Sequence, residues 1–220
     1  HALLAKFEQR FSSGLVLLAS YTFSKNISDV EQVLGSYVRL QNHFDRRAER
    51  AVSNVDLPHR WISSLAYELP FGRGKRWLSS GPWAQVAGNW SVAAILSYQS
   101  GTPLRITIPN NLPLFTGQLR PDLRTGVDPF ISNDHGKFRP FNSLTGERGD
   151  VQLNSAAFAF PAPFSFGNLA PYLSTVRSFG YSNEDVSLLK RIYLAEGRFL
   201  ELRADWFNLP NRRQLTAPIT

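Results

Sequence analysis

The 220-residue sequence predicts an all-β protein made of about six antiparallel strands. About six segments alternate apolar and polar residues with period two, which is the spacing of a strand with one apolar face. Aromatic residues make up 13% of the chain, which is typical of a folded domain. No apolar run approaches the roughly 18 residues that a membrane-spanning helix needs. A sheet is therefore expected, and each strand follows from its own pattern.

The predicted strands follow from the alternation and from the turns that bound it. The first two pair as a hairpin across the Ser12-Ser13-Gly14 turn. The third ends at Pro70-Phe71-Gly72-Arg73-Gly74, where proline and glycine stop strand pairing. The fourth has the cleanest alternation, and the Ala195-Glu196-Gly197 turn leads into the sixth. The expected strands cover about residues 3–10, 15–23, 61–69, 90–99, 185–194 and 198–206.

The predicted connections alternate in length along the chain. Residues 25–58 form one long polar loop, and residues 101–181 form another that is rich in Pro, Gly and Asn, with one short extended piece over residues 104–108. Both long loops fall at the same end of the predicted sheet. Outer-membrane barrels show this asymmetry, with short periplasmic turns and long extracellular loops, although some soluble folds also have one elaborated end.

A sheet with one apolar face can pack that face against a soluble core or against lipid. Aromatic residues lie near the predicted strand ends, as Trp90 and Tyr98 do. Eight residues tilted by about 40° rise roughly 20 Å, close to the apolar band of about 25 Å in outer-membrane barrels. The alternative is a soluble β-sandwich that binds carbohydrate through exposed aromatic residues such as Trp83 and Phe115.

Lys190 and Arg191 interrupt the apolar pattern of the fifth strand. Because they are adjacent, one of them faces lipid if the sheet spans a membrane. A basic side chain facing lipid costs about 2–4 kcal/mol at the bilayer midplane and about 0–1 kcal/mol near the interface. We therefore expect either a bulge that turns this residue inward or a strand that does not face lipid along its whole length.

Short motifs lie in order along nearly the whole chain. They are Asp45-Arg46-Arg47-Ala48-Glu49-Arg50, Asp56-Leu57-Pro58-His59-Arg60, Tyr67-Glu68-Leu69-Pro70-Phe71-Gly72-Arg73-Gly74-Lys75, Gly88-Asn89-Trp90, Ser100-Gly101-Thr102-Pro103, residues 158–168, residues 185–190, and Leu202-Arg203-Ala204-Asp205-Trp206-Phe207-Asn208 followed by Asn211. Together they resemble the C-terminal β-barrel of TonB-dependent outer-membrane receptors, in the subgroup that begins with a carboxypeptidase-regulatory-like domain.

The resemblance implies a bacterial outer-membrane barrel of about 22 strands with long extracellular loops, closed around an N-terminal plug. It implies uptake of a substrate, such as a siderophore, cobalamin, an oligosaccharide or a peptide, with energy delivered by the TonB complex through an N-terminal box. The implied partners are lipid, lipopolysaccharide, the plug and TonB, and not nucleic acid. Residues 1–220 are expected to be the C-terminal part of such a barrel, a fragment without the plug or the final strand. A surface barrel with an adhesive role and no transport stays open as an alternative.

The sequence contains no recognisable catalytic motif. The chain has no Cys, which excludes disulfides, thiolate metal sites and a cysteine nucleophile. The spacing of His43, Asp45, Asp56 and His59 fits no tight metal-ligand pattern. Residues 72–75 lack the spacing of a phosphate loop, and no serine lies in a G-x-S-x-G motif. We therefore expect no enzyme activity and no cofactor. We assign no catalytic, cofactor-binding or metal-ligating residue, and the residues do not reveal which of them bind substrate.

The formal net charge of +7 comes from dispersed basic residues. No nucleic-acid-binding module accompanies them. The cluster of Arg46, Arg47 and Arg50 can be interpreted in two ways. Either it contacts lipopolysaccharide phosphates in an extracellular loop, or it forms local ion pairs with Asp45 and Glu49 on a solvated loop.

Overall fold

The computed structural model of the protein describes residues 1–11, 14–29, 32–33, 36–37, 40–72, 74–131, 153–195 and 198–215. In chain order the strands are β1 (Ala2–Arg10), β2 (Leu15–Ser24), β3 (Ile27–Ser28), β4 (Gln32–Val33), β5 (Ser36–Tyr37), β6 (Ala51–Val52), β7 (His59–Glu68), β8 (Trp90–Gln99), β9 (Asp122–Leu123), β10 (Phe158–Ala159), β11 (Tyr181–Ala195) and β12 (Arg198–Trp206). Helix α1 (Pro82–Ala87) lies between β7 and β8, and a 3₁₀ turn (Ser155–Ala157) precedes β10.

The six long strands form one antiparallel sheet in the order β1-β2-β7-β8-β11-β12, which we call the wall. All six predicted strands are confirmed: β8 and β12 have the predicted bounds, and the other four differ at one or both ends. β11 begins at Tyr181, four residues before the predicted start, because its polar first residues pair with β8 from Tyr181 opposite Gln99. The alternation of apolar residues does not extend that far, so hydrogen bonding to a neighbour sets this boundary.

The connections leave the wall at two distinct ends. Residues 25–58 and 100–180 connect strands at one end, which we call the loop end. Residues 11–14, 69–89 and 196–197 connect strands at the opposite end, which we call the turn end. The predicted separation of long and short connections is therefore confirmed.

Short pairings organise the long loops. β3 pairs with β6, β4 with β5, and β9 with β10. The extended piece expected over residues 104–108 is not a strand; isolated bridges join Pro103 to Arg177 and Ile108 to Leu119. Leu104 and Ile106 are buried instead, because that segment packs into the loops rather than into the wall.

Helix α1 was not predicted from the sequence. Its six residues are too few to show a helical period, and Pro82 at its start is a residue that suits a first helical turn. Within the described residues, neither helical segment has the length and apolar character needed to cross a membrane.

The strand register gives the wall two faces, because directly paired residues of neighbouring strands point to the same side. The apolar face carries Leu3, Phe7, Leu15, Leu17, Tyr21, Phe23, Trp61, Leu65, Tyr67, Trp90, Val92, Leu96, Tyr98, Val186, Leu188, Leu200, Leu202 and Trp206. The other face, which we call the polar face, carries Lys6, Glu8, Arg10, Arg60, Glu68, Gln99, Asp185, Ser187, Arg191, Glu201, Arg203 and Asp205. It also carries the aliphatic residues Leu4, Val16, Leu18, Ile62, Ile95 and Leu189. Glu184, Lys190 and Arg198 are the charged residues on the apolar face in the described strands.

Candidate functional site

The buried apolar side chains of the described residues lie outside the wall. They are Val52, Ala84, Leu104, Ile106, Leu119, Ala157, Leu169 and Val176, all of which belong to the long loops or to α1. By contrast, Leu3 on the apolar face is 63% exposed and Leu202 is 53% exposed. The sheet of a soluble protein buries its apolar face against a second layer. The apolar face of the wall is therefore available to contact another apolar medium.

Aromatic residues mark both ends of the apolar face. At the loop end, the rings of Trp61 and Tyr98 lie 6.0 Å apart, and His59 stacks on Tyr21 at 6.2 Å. At the turn end the face carries Tyr67 and Trp90. β7 and β8 have ten residues each. At about 3.4 Å per residue and a tilt of about 40°, ten residues rise about 26 Å, which matches the apolar band of a membrane barrel.

Lys190 stays on the apolar face, so no bulge turns it inward. The other expectation, a strand that is not open to lipid along its whole length, agrees with the structure, because only 6% of Lys190 is exposed. β11 keeps one register with β8 through Lys190, and the irregularity in β11 comes later, between Tyr193 and Ala195. Arg191 points to the polar face, where its Nε donates to Glu201 at 2.9 Å. The groups that cover Lys190 belong to the connection between β7 and β8.

The Lys190 ammonium group is enclosed by the C-terminal end of α1. Its Nζ donates to the carbonyl oxygens of Gln85 (2.7 Å), Val86 (2.9 Å) and Gly88, and it lies 5.2 Å from the centre of the Trp90 ring. Carbonyl groups at a helix C-terminus and the face of an indole ring both favour a cation. The charge on the apolar face is therefore satisfied at the turn end, although only 6% of Lys190 is exposed.

Glu184 is the corresponding charge at the loop end of the apolar face. The hydroxyl of Tyr98 donates to its Oε1 at 2.8 Å, and Arg212 forms a salt bridge with the same carboxylate at 2.9 Å. Arg212 lies in the segment after β12, which turns back over the loop end of the wall. An open cavity of about 900 Å³ lies beside this group and is lined by Tyr21, His59, Trp61, Tyr98 and Arg212 among others. Because its aromatic lining belongs to the apolar face, the cavity is on that side of the wall.

The polar face carries ion pairs and hydrogen bonds that are open to solvent. Arg203 Nε donates to Asp205 at 2.8 Å, and the hydroxyl of Ser187 donates to the same carboxylate at 2.5 Å. Lys6 and Glu8 form an exposed pair at 3.1 Å. Such pairs add little stability, but they show that this face suits water.

The two long loops pack together into one unit at the loop end, which we call the cap. Its apolar core combines Val52 of the first loop with Leu104, Ile106, Leu119, Leu169 and Val176 of the second. Two buried ion pairs connect the two loops across this core. The cap lies at the loop end, where its exposed residues could contact a ligand.

The first ion pair joins Arg120 to Glu49, and both side chains are almost fully buried, with 1% and 2% exposure. Arg120 donates through Nη1 to Oε2 at 2.6 Å and through Nη2 to Oε1 at 3.0 Å, which is a bidentate contact. Gln41 adds to it by accepting the Arg120 N–H at 2.7 Å and donating to Gly167 O at 2.8 Å. This network fixes the second loop against the first.

The second ion pair joins Arg177 to Asp56 at 2.6 Å, with Asp56 1% exposed. Arg177 also donates to the backbone oxygens of Asp56 (3.0 Å) and Gly101 (3.2 Å), so it connects both loops where they leave the wall. A Cβ atom at Gly101 would lie 1.7 Å from the Ser178 carbonyl oxygen. Only glycine permits this approach of the two strands of chain at the base of the cap.

Three of the four residues considered as metal ligands from the sequence, Asp45, Asp56 and His59, have separate roles. Asp45 accepts backbone N–H groups of Arg47 (3.0 Å) and Ala48 (3.3 Å), Asp56 pairs with Arg177, and His59 contacts Tyr21. Over the described part of the chain, no group of three or more His, Cys, Asp and Glu residues is placed to hold a metal ion.

The prediction that the arginine cluster forms local ion pairs with Asp45 and Glu49 was wrong. Arg46 pairs with Asp29 at 2.7 Å, and this hydrogen-bonded guanidinium lowers the pKa of the Asp29 carboxyl. Glu49 pairs with Arg120, which is 71 residues away. Sequence inspection missed Arg120 and Arg177 because nothing near either residue in the chain indicates its partner.

Comparison with known families decides between lipid and a soluble core for the apolar face. A family model described as an outer membrane beta barrel domain matches residues 1–220, which is the whole chain. The chain belongs to the outer membrane beta barrel domain family. No curated protein matches it, and no solved structure matches it.

Membership of this family places the chain in the outer membrane, as predicted. The apolar face is then the lipid-facing surface, the polar face lines the lumen, the loop end is extracellular and the turn end periplasmic. Trp83 and Phe115, considered as exposed carbohydrate-binding aromatics of a soluble sandwich, lie in connections at opposite ends of the wall. Trp83 is exposed, but Phe115 is half-buried and packs against Phe166, so its predicted exposure is wrong. They therefore do not share one site.

Proposed function

We propose that the chain forms part of the wall and the extracellular mouth of a TonB-dependent receptor that takes up a substrate. The observation that carries this proposal is the cap, in which two extracellular loops pack around one core through buried ion pairs. A rigid, folded mouth over a polar lumen suits capture of a ligand before its passage through a barrel. The resemblance of the sequence motifs to this receptor class supports the same function.

The mechanism assigns separate roles to the two parts of the chain. The cap binds substrate, the plug rearranges when energy arrives through the TonB complex, and the lumen gives passage along the polar face. Within the described residues the wall has six strands, and β1 and β12 each have one unpaired edge. Closure therefore needs further strands, and the resemblance suggests about 22 in all. We expect transport without catalysis, and residues 1–220 as the C-terminal part of the barrel.

We propose lipid and lipopolysaccharide as further partners, and no nucleic acid. Arg47 and Arg50 are exposed on the cap, so both are free to approach lipopolysaccharide phosphates from the extracellular side. The wall supplies the lipid contact through its apolar face.

The experiment is to express the gene at its full natural length in a Gram-negative host, with and without a functional TonB protein. Recovery in the outer membrane, with a compact form that shifts on boiling, tests the barrel. Uptake of siderophores, cobalamin, oligosaccharides and peptides is then compared in the two hosts. Uptake that requires TonB supports the proposal. Insertion with no TonB-dependent uptake and no binding to the TonB periplasmic domain would reject it.

A surface barrel with an adhesive role is the second candidate. It is favoured by fully exposed apolar residues on the cap, since Phe44 is 101% exposed, Leu114 103% and Phe164 85%. Exposed apolar side chains of this kind mark interaction sites. Adhesion would need no TonB box, so the N-terminal sequence of the full-length protein separates the two candidates.

A further inference from the structure

We propose that the connection between β7 and β8 is a membrane anchor, in which Trp83 and Val86 of α1 enter the headgroup region of the periplasmic leaflet and the neighbouring Arg76 contacts phospholipid phosphate. The proposal depends on the outer-membrane location of the chain and not on transport.

The position of α1 follows from Lys190. Lys190 and Trp90 are directly paired in the β8–β11 ladder, so both point to the lipid-facing side of the wall. The Lys190 ammonium group contacts three carbonyl oxygens at the end of α1, and Trp90 Nε1 donates to one of them, Val86 O, at 3.2 Å. The end of α1 therefore lies on the lipid-facing side, at the periplasmic end of the strands.

The connection exposes large apolar side chains on this side. Trp83 is 70% exposed and Val86 64%, and because they are three residues apart they share one side of the helix. Ala84 is the buried residue of α1 and holds the opposite side against the protein. Trp77 and Leu78 of the same connection are 52% and 45% exposed. Because Val86 O accepts from Trp90 and Lys190 on the lipid-facing side, the exposed side chains of α1 adjoin the wall, and the bilayer is the occupant that they fit.

The charge of the connection suits a phospholipid surface. Residues 69–89 contain Arg73, Lys75 and Arg76 and no acidic residue. Lys75 pairs with Glu68 of the polar face at 2.6 Å, so Arg76 is the described basic residue that can contact a phosphate on the lipid-facing side. The Arg76 guanidinium lies 5.7 Å from the centre of the Trp77 ring, so a basic group and an indole lie side by side. Tryptophan and basic side chains are the residues that anchor proteins at a membrane–water interface.

The connection is held in place rather than left to fold on contact with lipid. Trp77 donates its N–H to Pro70 O at 3.1 Å, and Asn89 donates to Phe71 O at 2.9 Å. A Cβ atom at Gly88 would lie 2.3 Å from Gly72 Cα, so the two ends of the connection touch. A preformed surface of this kind loses little conformational entropy when it meets the bilayer.

The test places an environment-sensitive fluorophore on α1. The chain has no Cys, so Val86→Cys gives one labelling site in it for an NBD group. Leu114→Cys is the control, because Leu114 is also an exposed apolar residue, at 103% against 64% for Val86, but lies in the cap at the extracellular end. Each full-length variant is purified from outer membranes and reconstituted into phosphatidylethanolamine and phosphatidylglycerol vesicles. A shift on boiling confirms that each variant has inserted.

We expect the Val86→Cys label to emit at shorter wavelength than the Leu114→Cys label. Nitroxide lipids labelled near the headgroup should quench it more strongly than lipids labelled near the chain end, and aqueous iodide should quench it weakly. A Val86→Cys label that iodide quenches as strongly as the control, with no loss of emission from either nitroxide lipid, would overturn the anchor. Failed TonB-dependent uptake would leave this result unchanged, so the two proposals fail separately.

Discussion

Loss of the buried Glu49 carboxylate should detach the two loops of the cap without unfolding the wall. Glu49→Gln keeps the shape of the side chain but removes the charge that balances Arg120. Both side chains are almost fully buried, and two hydrogen bonds of 2.6 and 3.0 Å join them. Removing one partner of a buried ion pair typically costs about 3–5 kcal/mol, because the other charge remains buried and uncompensated.

The size of this effect can be read from hydrogen exchange. Since about 1.4 kcal/mol corresponds to a tenfold change in an equilibrium, the cap should open about one hundred to a few thousand times more often. Amide protection should fall at residues 40–56 and 101–124. Protection in β7 and β8 should not change, because strand pairing holds the wall independently of the cap.

Two further variants make this test specific. Asp29→Asn breaks an exposed pair with Arg46 in the same loop and should leave the protection of the cap unchanged. Glu49→Leu combined with Arg120→Met removes both charges and should restore part of the lost protection. Equal effects of Glu49→Gln and Asp29→Asn, or equal loss of protection in the wall and the cap, would refute the reasoning.

Three other substitutions test the wall and the base of the cap. Lys190→Met should free the end of α1, because three carbonyl contacts disappear, and hydrogen exchange at residues 82–88 should accelerate. Gly101→Ala should cost about 1–3 kcal/mol in denaturant unfolding of the cap, since its Cβ would overlap the Ser178 carbonyl. Tyr98→Phe should cost about 1.5 kcal/mol in urea unfolding from vesicles, because it removes a hydrogen bond to the Glu184 carboxylate.

Each of these substitutions has a control in the same region. Arg191→Met changes the next residue of β11 but points to the lumen, so α1 should keep its protection. Ser100→Ala adds no atom beside the cap and should be neutral. Tyr67→Phe lies at the other end of the lipid-facing side and should cost less than Tyr98→Phe. A control as damaging as its test variant would contradict the corresponding contact.

The wall could be predicted because its signal is local. A strand with one apolar face repeats every two residues, and Trp90 to Tyr98 shows this repeat without reference to any other part of the chain. The cap could not be predicted in the same way. Glu49 and Arg120 are 71 residues apart, and Asp56 and Arg177 are 121 apart, so no periodicity links either pair.

The sequence by itself determined the six strands and the two ends of the sheet, because alternation and connection length are properties of neighbouring residues. The same pattern left lipid and a soluble core open, and family membership decided for lipid. Only the tertiary structure decided where the charges on the lipid-facing side find partners. From the sequence, Lys190 is incompatible with lipid. In the structure, backbone carbonyl oxygens at the end of α1, about one hundred residues earlier in the chain, accept hydrogen bonds from its ammonium group. The tertiary structure also decided the fold of the cap, because the burial and pairing of its charged residues depend on contacts between distant segments.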